Sequence, residues 1–255
     1  MRVALLSDIH GNLIALEAVL ADLARRGPFD EVVVAGDLVW SGPWPAEVID
    51  RVRSVTPAVI QGNTDAFFRR KPEETPPGKR ENRFAEQMGW MLEQLGPERA
   101  EYLAALPASH RIRPAGGHEL LVVHANPYDL DRAILPNASV VELDELLSTD
   151  GVEPGWDALA FGHVHTPFQR RWRGRLLIDV ASAGLPMDGD LRAAYAILEW
   201  DGSSWRGEHH RVYYDLPVVT RQMITGGMPW GRHFAERLMA SGYGAASANG
   251  MFGAE

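Results

Sequence analysis

The stretch Val3-Ala4-Leu5-Leu6-Ser7-Asp8-Ile9-His10-Gly11-Asn12 decides the reading of the fold. Val3–Leu6 is apolar without alternation, the pattern of a strand covered on both faces, and it ends in polar residues. Leu13, Leu16, Val19, Leu20 and Leu23 follow at helical spacing. They stop at Arg25-Arg26-Gly27-Pro28, cations in the last turn followed by breakers. Val32–Ala35 repeats the strand pattern. A Pro-rich loop and a helix near Ala46–Arg53 lead to a third apolar run, Ala58-Val59-Ile60. This βαβαβ order predicts a parallel sheet with helices on its faces.

Beyond this unit the pattern changes. Lys71–Arg80 carries three prolines and mixed charge, which predicts a surface loop close enough to Asn63 to border a site and tune substrate access. Helical stretches follow at Glu81–Leu95 and Pro97–Ala105. Three hairpins come next: His110–Arg113 with Glu119–His124, Phe168–Trp172 with Leu176–Asp179, and Ala193–Trp200 with His209–Tyr214. Two packed sheets with helices outside are the expectation. The last forty residues hold one or two short helices around Gly226-Gly227-Met228-Pro229, and the Gly/Ala-rich end Gly242–Glu255 reads as frayed. The expected division is a main domain over 1–215 and a helical extension over 216–255 packed on it.

The chain has 255 residues, 25 Lys+Arg against 34 Asp+Glu, a net charge of −9, no cysteine and 45% apolar residues. The acidic balance argues against coating of nucleic acid, which needs a positive surface. It leaves room for a phosphate substrate, because bound metal ions reverse the local sign. Without cysteine there are no disulfides, thiolate metal sites or Cys nucleophile. The four-residue apolar run before Asp8 is too short for a signal peptide, and no run approaches a membrane span. A soluble, cytoplasmic protein is expected, with its oligomeric state open.

Five apolar runs each end in residues able to bind a metal. Val3–Leu6 leads to Asp8 and His10, Val32–Ala35 to Asp37, Ala58–Ile60 to Asn63, Leu120–Val123 to His124, and Ala158–Phe161 to His163 and His165. In open α/β sheets the functional crevice lies beyond the carboxyl ends of the strands, so these seven side chains should meet at one rim. Nitrogen and oxygen donors without sulfur suit Mn, Fe, Zn, Co or Ni better than Ca. Seven donors are too many for one open catalytic ion. They suit two ions roughly 3.5–4 Å apart sharing one carboxylate, which clamp both oxygens of an in-line phosphoryl displacement.

Asp8-Ile9-His10-Gly11-Asn12, Gly36-Asp37, Gly62-Asn63-Thr64-Asp65, His124 and Gly162-His163-Val164-His165 resemble, in order over residues 1 to about 200, the calcineurin-like metallophosphoesterase superfamily. Ser7–Asn12 with Ala15-Leu16, the loop Gly42-Pro43-Trp44-Pro45 and the turn His124-Ala125-Asn126-Pro127 are similar to its compact bacterial and archaeal branch. The resemblance implies a four-layer α/β/β/α sandwich with a dimetal centre. Asp8, His10 and His165 would hold one ion, Asn63, His124 and His163 the other, and Asp37 would bridge them, with Mn the leading metal. It implies hydrolysis of small phosphodiesters or phosphomonoesters by in-line attack of a metal-bridging hydroxide, with Asp37, Asn63 and His124 as the catalytic set.

The third motif commonly carries His where this chain has Thr64, and that His helps protonate the leaving oxygen. The stretch Gly36–Gly42 lacks the Asp-Arg usual in the serine/threonine phosphatases and the dinucleotide-tetraphosphate hydrolases. A protein serine/threonine phosphatase and a non-catalytic protein-binding scaffold of the same fold remain the alternatives.

Asn12 could cap the first helix and also face the phosphate, and Asn126 could bond the substrate. Trp40 and Trp44 could stack on a base or aryl group, or pack beneath the helices. Arg170, Arg171, Arg173 and Arg175 form a basic hairpin, read first as a solvated strand edge and second as an anion-steering device. His110, His118, His209, His210 and His233 have no motif partners and are read as structural.

Overall fold

The computed structural model describes residues 1–69, 79–148 and 154–241. The chain runs β1 (Arg2–Leu6), α1 (Leu13–Arg26), β2 (Glu31–Val34), α2 (Pro45–Val55), a 3₁₀ turn (Asp65–Arg69) and α3 (Lys79–Ala105). It continues through β3 (Ser109–Ile112), β4 (Leu120–Val123), α4 (Val140–Leu147), β5 (Ala158–Phe161), β6 (Phe168–Trp172) and β7 (Arg175–Asp179). The last elements are β8 (Ala193–Trp200), β9 (Trp205–Val212), α5 (Leu216–Thr225) and α6 (Gly231–Ala240).

Two mixed sheets result, ordered β2-β1-β8-β9 and β3-β4-β5-β7-β6. The unbroken apolar runs are explained by burial of both strand faces. Val3 and Leu5 of β1 point into the space between the sheets and meet Leu120 and Val122 of β4, Ala160 of β5 and Ile178 of β7. Ala4 and Leu6 point the other way, onto Leu16 and Val19 of α1, Ile49 of α2 and Met91 of α3. On the far side, Leu121, Leu159 and Leu177 pack on Leu143 and Leu147 of α4. These three cores make the expected four layers, helices–sheet–sheet–helix. The three hairpins form as read from the sequence, although β9 starts earlier, at Trp205.

Ala58-Val59-Ile60 does not become a third strand. Val34 bonds both Ala58 and Ile60, giving one isolated parallel bridge to Val59. The ladder stops because the next amide on that side, Gly62, donates to Asp65 Oδ2 instead, at 3.0 Å. β1 therefore has β2 on one side, parallel, and β8 on the other, antiparallel. The two helical stretches after residue 80 form α3, broken where expected: Gly96 takes φ 64° and ψ 173° immediately before Pro97. The Lys71–Arg80 loop and the Gly242–Glu255 end lie outside the described residues, apart from Lys79 and Arg80, which open α3. α5 and α6 join Leu185, Ile14, Trp44 and Trp90 in a fourth apolar cluster. No helix among the described residues is long and apolar enough to cross a membrane.

Candidate metal centre

All seven expected ligands come together, each just beyond the carboxyl end of a strand or of the Ala58–Ile60 run. Asp8 and His10 follow β1, Asp37 follows β2, His124 follows β4, and His163 and His165 follow β5. Five of them turn the backbone into the left-handed region: Asp8 (φ 54°), His10 (51°), Asp37 (53°), His163 (71°) and His165 (60°). Such conformations cost about 1 kcal/mol or more apiece in non-glycine residues and persist where the surroundings enforce them. Here the loops enforce one another. Asp8 N–H donates to Gly36 O (3.0 Å), His10 N–H to Asp37 O (2.9 Å), and Gly162 N–H to His124 O (2.8 Å). The loops approach so closely that a Cβ on Gly62 would sit 2.1 Å from Asp37 Oδ1, and one on Gly162 2.3 Å from Asp8 Oδ2.

The contacts link the seven side chains into one chain. His165 Nε2 lies 3.1 Å from Asp8 Oδ1 and 3.2 Å from His10 Nε2. His10 Nε2 is 3.6 Å from Asp37 Oδ2, and His124 Nε2 is 3.5 Å from Asp37 Oδ1. His124 Nε2 then meets Asn63 Oδ1 at 3.0 Å and His163 Nδ1 at 3.3 Å.

Each imidazole is oriented from behind by a backbone carbonyl. His10 Nδ1 faces Val39 O (3.3 Å), His124 Nδ1 faces Ala35 O (2.9 Å) and His165 Nδ1 faces Leu185 O (2.6 Å). His163 is reversed, with Nε2 on Asp131 O at 3.0 Å. A carbonyl oxygen only accepts, so the nitrogen bonded to it carries the hydrogen and the inward nitrogen of a neutral ring presents a lone pair. Lone pairs therefore face lone pairs or carboxylates across 3.0–3.6 Å. Asp8 Oδ1 is buried without a hydrogen-bond partner. Acceptors converging in a largely buried centre, with every imidazole held by an outer carbonyl, are what a divalent cation requires. The residues fit the group.

Protons compete for the same acceptors. Burial raises the Asp8 carboxyl, yet the imidazoles around it, His165 foremost, outweigh this and hold it well below the ordinary carboxylate range. Burial pushes His10 down to about 4, against the pull of Asp37. Burial also lowers His163. At His124 burial is outweighed by Asp37 and Asp8, and its pKa stands above the ordinary value.

The remaining sequence candidates settle into supporting positions. Asn12 caps α1 by accepting from Ala15 N–H (3.1 Å), while its amide donates to Gly184 O (2.9 Å). Asn126 accepts from the amides of Tyr128 and Asp129 and donates to Arg132 O (2.6 Å). It thus builds the turn that offers Asp131 O to His163. Thr64 Oγ1 donates to Val39 O at 3.3 Å, and its N–H donates to Asp37 Oδ1 at 2.9 Å. The basic hairpin is tied to its own scaffold: Arg170 donates to Ala138 O, Arg173 pairs with Asp144, and Arg175 donates to Trp156 O. Of the other histidines, His110 pairs with Glu31 across the sheets and His209 faces Asp179 O.

Asp65 closes the third motif, two positions after Asn63. It is fully buried and accepts from Leu38 N–H with Oδ1 and Gly62 N–H with Oδ2, both at 3.0 Å. It ties the Asp37 loop to the Asn63 loop. Burial, with Asp37 nearby, pushes its carboxyl up to about 7. The signal available in the sequence was an acid two positions after a ligand.

A family model described as calcineurin-like phosphoesterase matches residues 1–167. An uncharacterized protein of Methanocaldococcus jannaschii is 27% identical over 252 residues, 89% of this chain and 93% of that protein. The crystal structure of a metallophosphoesterase from Sphaerobacter thermophilus superposes with a TM-score of 0.74 at 30% identity, covering 94% of this chain and all of that one (100%). A hypothetical protein from Pyrococcus horikoshii OT3 superposes with a TM-score of 0.76 at 20% identity over 93% of this chain and 97% of its own, a likeness of fold.

Proposed function

The chain belongs to the calcineurin-like phosphoesterase family and is a phosphoester hydrolase, and from that premise we propose that it uses two divalent transition-metal ions to hydrolyse small phosphodiesters or phosphomonoesters. Asp8, His10 and His165 would hold one ion, and Asn63, His124 and His163 the other. The observation that carries this reading is the placement of Asp37: Oδ2 faces His10 of the first group at 3.6 Å and Oδ1 faces His124 of the second at 3.5 Å. A carboxylate whose two oxygens address two histidine groups is the natural bridge.

Such a pair of ions supplies a nucleophile from water at neutral pH and neutralises the phosphoryl oxygens. The protein's own part is orientation. The backbone carbonyls of Val39, Ala35, Leu185 and Asp131 fix the four imidazoles. Asp65 fixes the Asp37 loop, and Asn12 and Asn126 fix the segments around the rim. Thr64 stands where a general acid would be useful, and its hydroxyl donates to Val39 O instead. The sulfur-free donor set suits Mn, Fe, Zn, Ni or Co, and the family resemblance puts Mn first. Metal analysis of the purified protein should give about two ions per chain, and a phosphoester screen with Mn²⁺ should show hydrolysis that chelation abolishes. Full turnover in a rigorously stripped sample would refute the mechanism.

A further inference from the structure

Trp40 has a backbone φ of 112°. For so bulky a residue that is a strained value, and strain of this kind collects at functional sites where the surroundings over-determine it. The surroundings here are specific. The carbonyl oxygen of Val39, one residue earlier, accepts from Thr64 Oγ1 and faces His10 Nδ1, each at 3.3 Å. Trp40's own carbonyl accepts from Gln87 Nε2 of α3 at 2.7 Å. Its indole enters a group of three rings: the centroid of Phe67 is 4.8 Å away at an interplanar angle of 66°, and Phe84 is 5.1 Å from both. Trp40 comes three residues after Asp37 and Phe67 four after Asn63, so two rings ride on the loops that carry two ligands. All three rings are half-buried. Trp156, Trp172 and Trp205, by contrast, are 4% exposed or less. Trp44, in the same loop as Trp40, is taken up by the apolar cluster of α5 and α6.

We propose that Trp40, Phe67 and Phe84 form a stacking wall for a planar aromatic group esterified to the substrate phosphate. The inference rests on the phosphoester reading of the metal centre and specifies the class of ester it takes. Rings placed edge to face offer both a face and an edge to a flat ligand, and stacking of that kind tolerates any planar π system, a nucleobase or a simple aryl group alike. The phosphate end would lie on the ligand side of the two loops and the aromatic end against the rings standing on them. Within this arrangement Trp40 binds and positions, and takes no part in proton transfer.

The test is titration calorimetry of the Mn²⁺-loaded protein with methylphosphonate, phenylphosphonate and the phosphonate isostere of adenosine 5′-monophosphate. The parent should bind at least one of the two aromatic ligands about tenfold more tightly than methylphosphonate, and Trp40→Ala should bring them within about twofold. Trp40→Phe, which keeps a ring, should restore most of the preference. Preference for the adenosine ligand would identify nucleotides as the source, and preference for phenyl alone would identify simple aryl esters. Should Trp40→Ala fail to fold by circular dichroism, Phe84→Leu on α3 replaces it with the same expectation. Equal binding of all three ligands by the parent overturns the wall and leaves the phosphoester reading intact. An equal loss for all three in Trp40→Ala, with a lowered Tm, overturns it too, because it shows a purely structural cluster. Failure of the parent to bind even methylphosphonate overturns the phosphoester reading, and this inference with it.

Discussion

Asp37 does more than one job, and its replacement should show it. Both carboxylate oxygens face a histidine, and Oδ1 also accepts the Thr64 amide at 2.9 Å. Asp37→Asn removes the one charge shared by both ligand groups, whereas His10→Ala removes a neutral donor from one. Asp37→Asn should therefore lose the more activity and lower the ion count of both groups, as metal analysis beside steady-state rates would reveal. Near-normal turnover with two ions bound would remove the bridge. Thr64 makes a second test at the same scale. General acids contribute about 10²–10⁴-fold, which a hydroxyl bonded to Val39 O cannot supply near neutral pH. Rates across phosphoesters of graded leaving-group pKa should fall steeply toward alkyl esters, and Thr64→His should flatten the slope. A shallow slope in the parent would mean that another residue gives the proton.

Among the elements, α1 and β8 are joined by a buried polar contact as well as by packing. Tyr195, fully buried on β8, donates its hydroxyl to Asp22 Oδ2 of α1 at 2.6 Å, and Arg25 and Arg26 hold the same carboxylate. Burial raises the Asp22 pKa, but the Tyr195 hydroxyl and the two guanidinium groups outweigh it and leave the carboxyl at about 2. A folded pKa below the unfolded value of 3.8 gives stability that is fully present above pH 3.8 and is lost as the pH falls through 2. Tyr195→Phe should cost about 1–3 kcal/mol in urea denaturation at neutral pH, since it leaves the carboxylate short of a donor. An unchanged midpoint would show the contact to be neutral. Neither partner of this bond was singled out in the sequence, because nothing local announces a pairing between residues so distant along the chain. Local signals served better. The run Val3–Leu6, the Gly96-Pro97 break and the hairpin turns were all legible. α4 was legible in principle, for Ser139 and Glu142 form a capping box at its start, with Ser139 Oγ accepting from Glu142 N–H. Ala58–Ile60 misled because its composition is that of a strand, while the bond from Gly62 N–H to Asp65 Oδ2 ends its pairing with β2. The candidate ligands could be read from residue type and order. Their left-handed backbones could not, since Asp8, His10 and Asp37 are held that way by bonds between loops.

At the scale of the molecule the centre is a joint between the two sheets. Asp8, His10, Asp37 and Asn63 come from the side of β1 and β2, and His124, His163 and His165 from the side of β4 and β5. Ions held there should raise the Tm of the whole chain, and protons should compete with them unequally. His124 binds protons more readily than an ordinary histidine, whose value is 6.5, while His10 has fallen to about 4. Acidification should therefore strip the ion of His124, Asn63 and His163 before the ion of Asp8, His10 and His165. Metal content followed against pH, in the parent and in His124→Gln, checks the order; loss of both ions together would contradict it. The position of β1 has a further consequence for biosynthesis. β1, which precedes the other described strands, is an inner strand of its sheet, and its antiparallel neighbour β8 begins only at Ala193. Asp8 and His10 thus leave the ribosome long before His163 and His165 exist, and before the sheet that steadies them can close. Nascent chains arrested anywhere before β5 should retain no ion through gel filtration, and loading should begin only once β8 has been released.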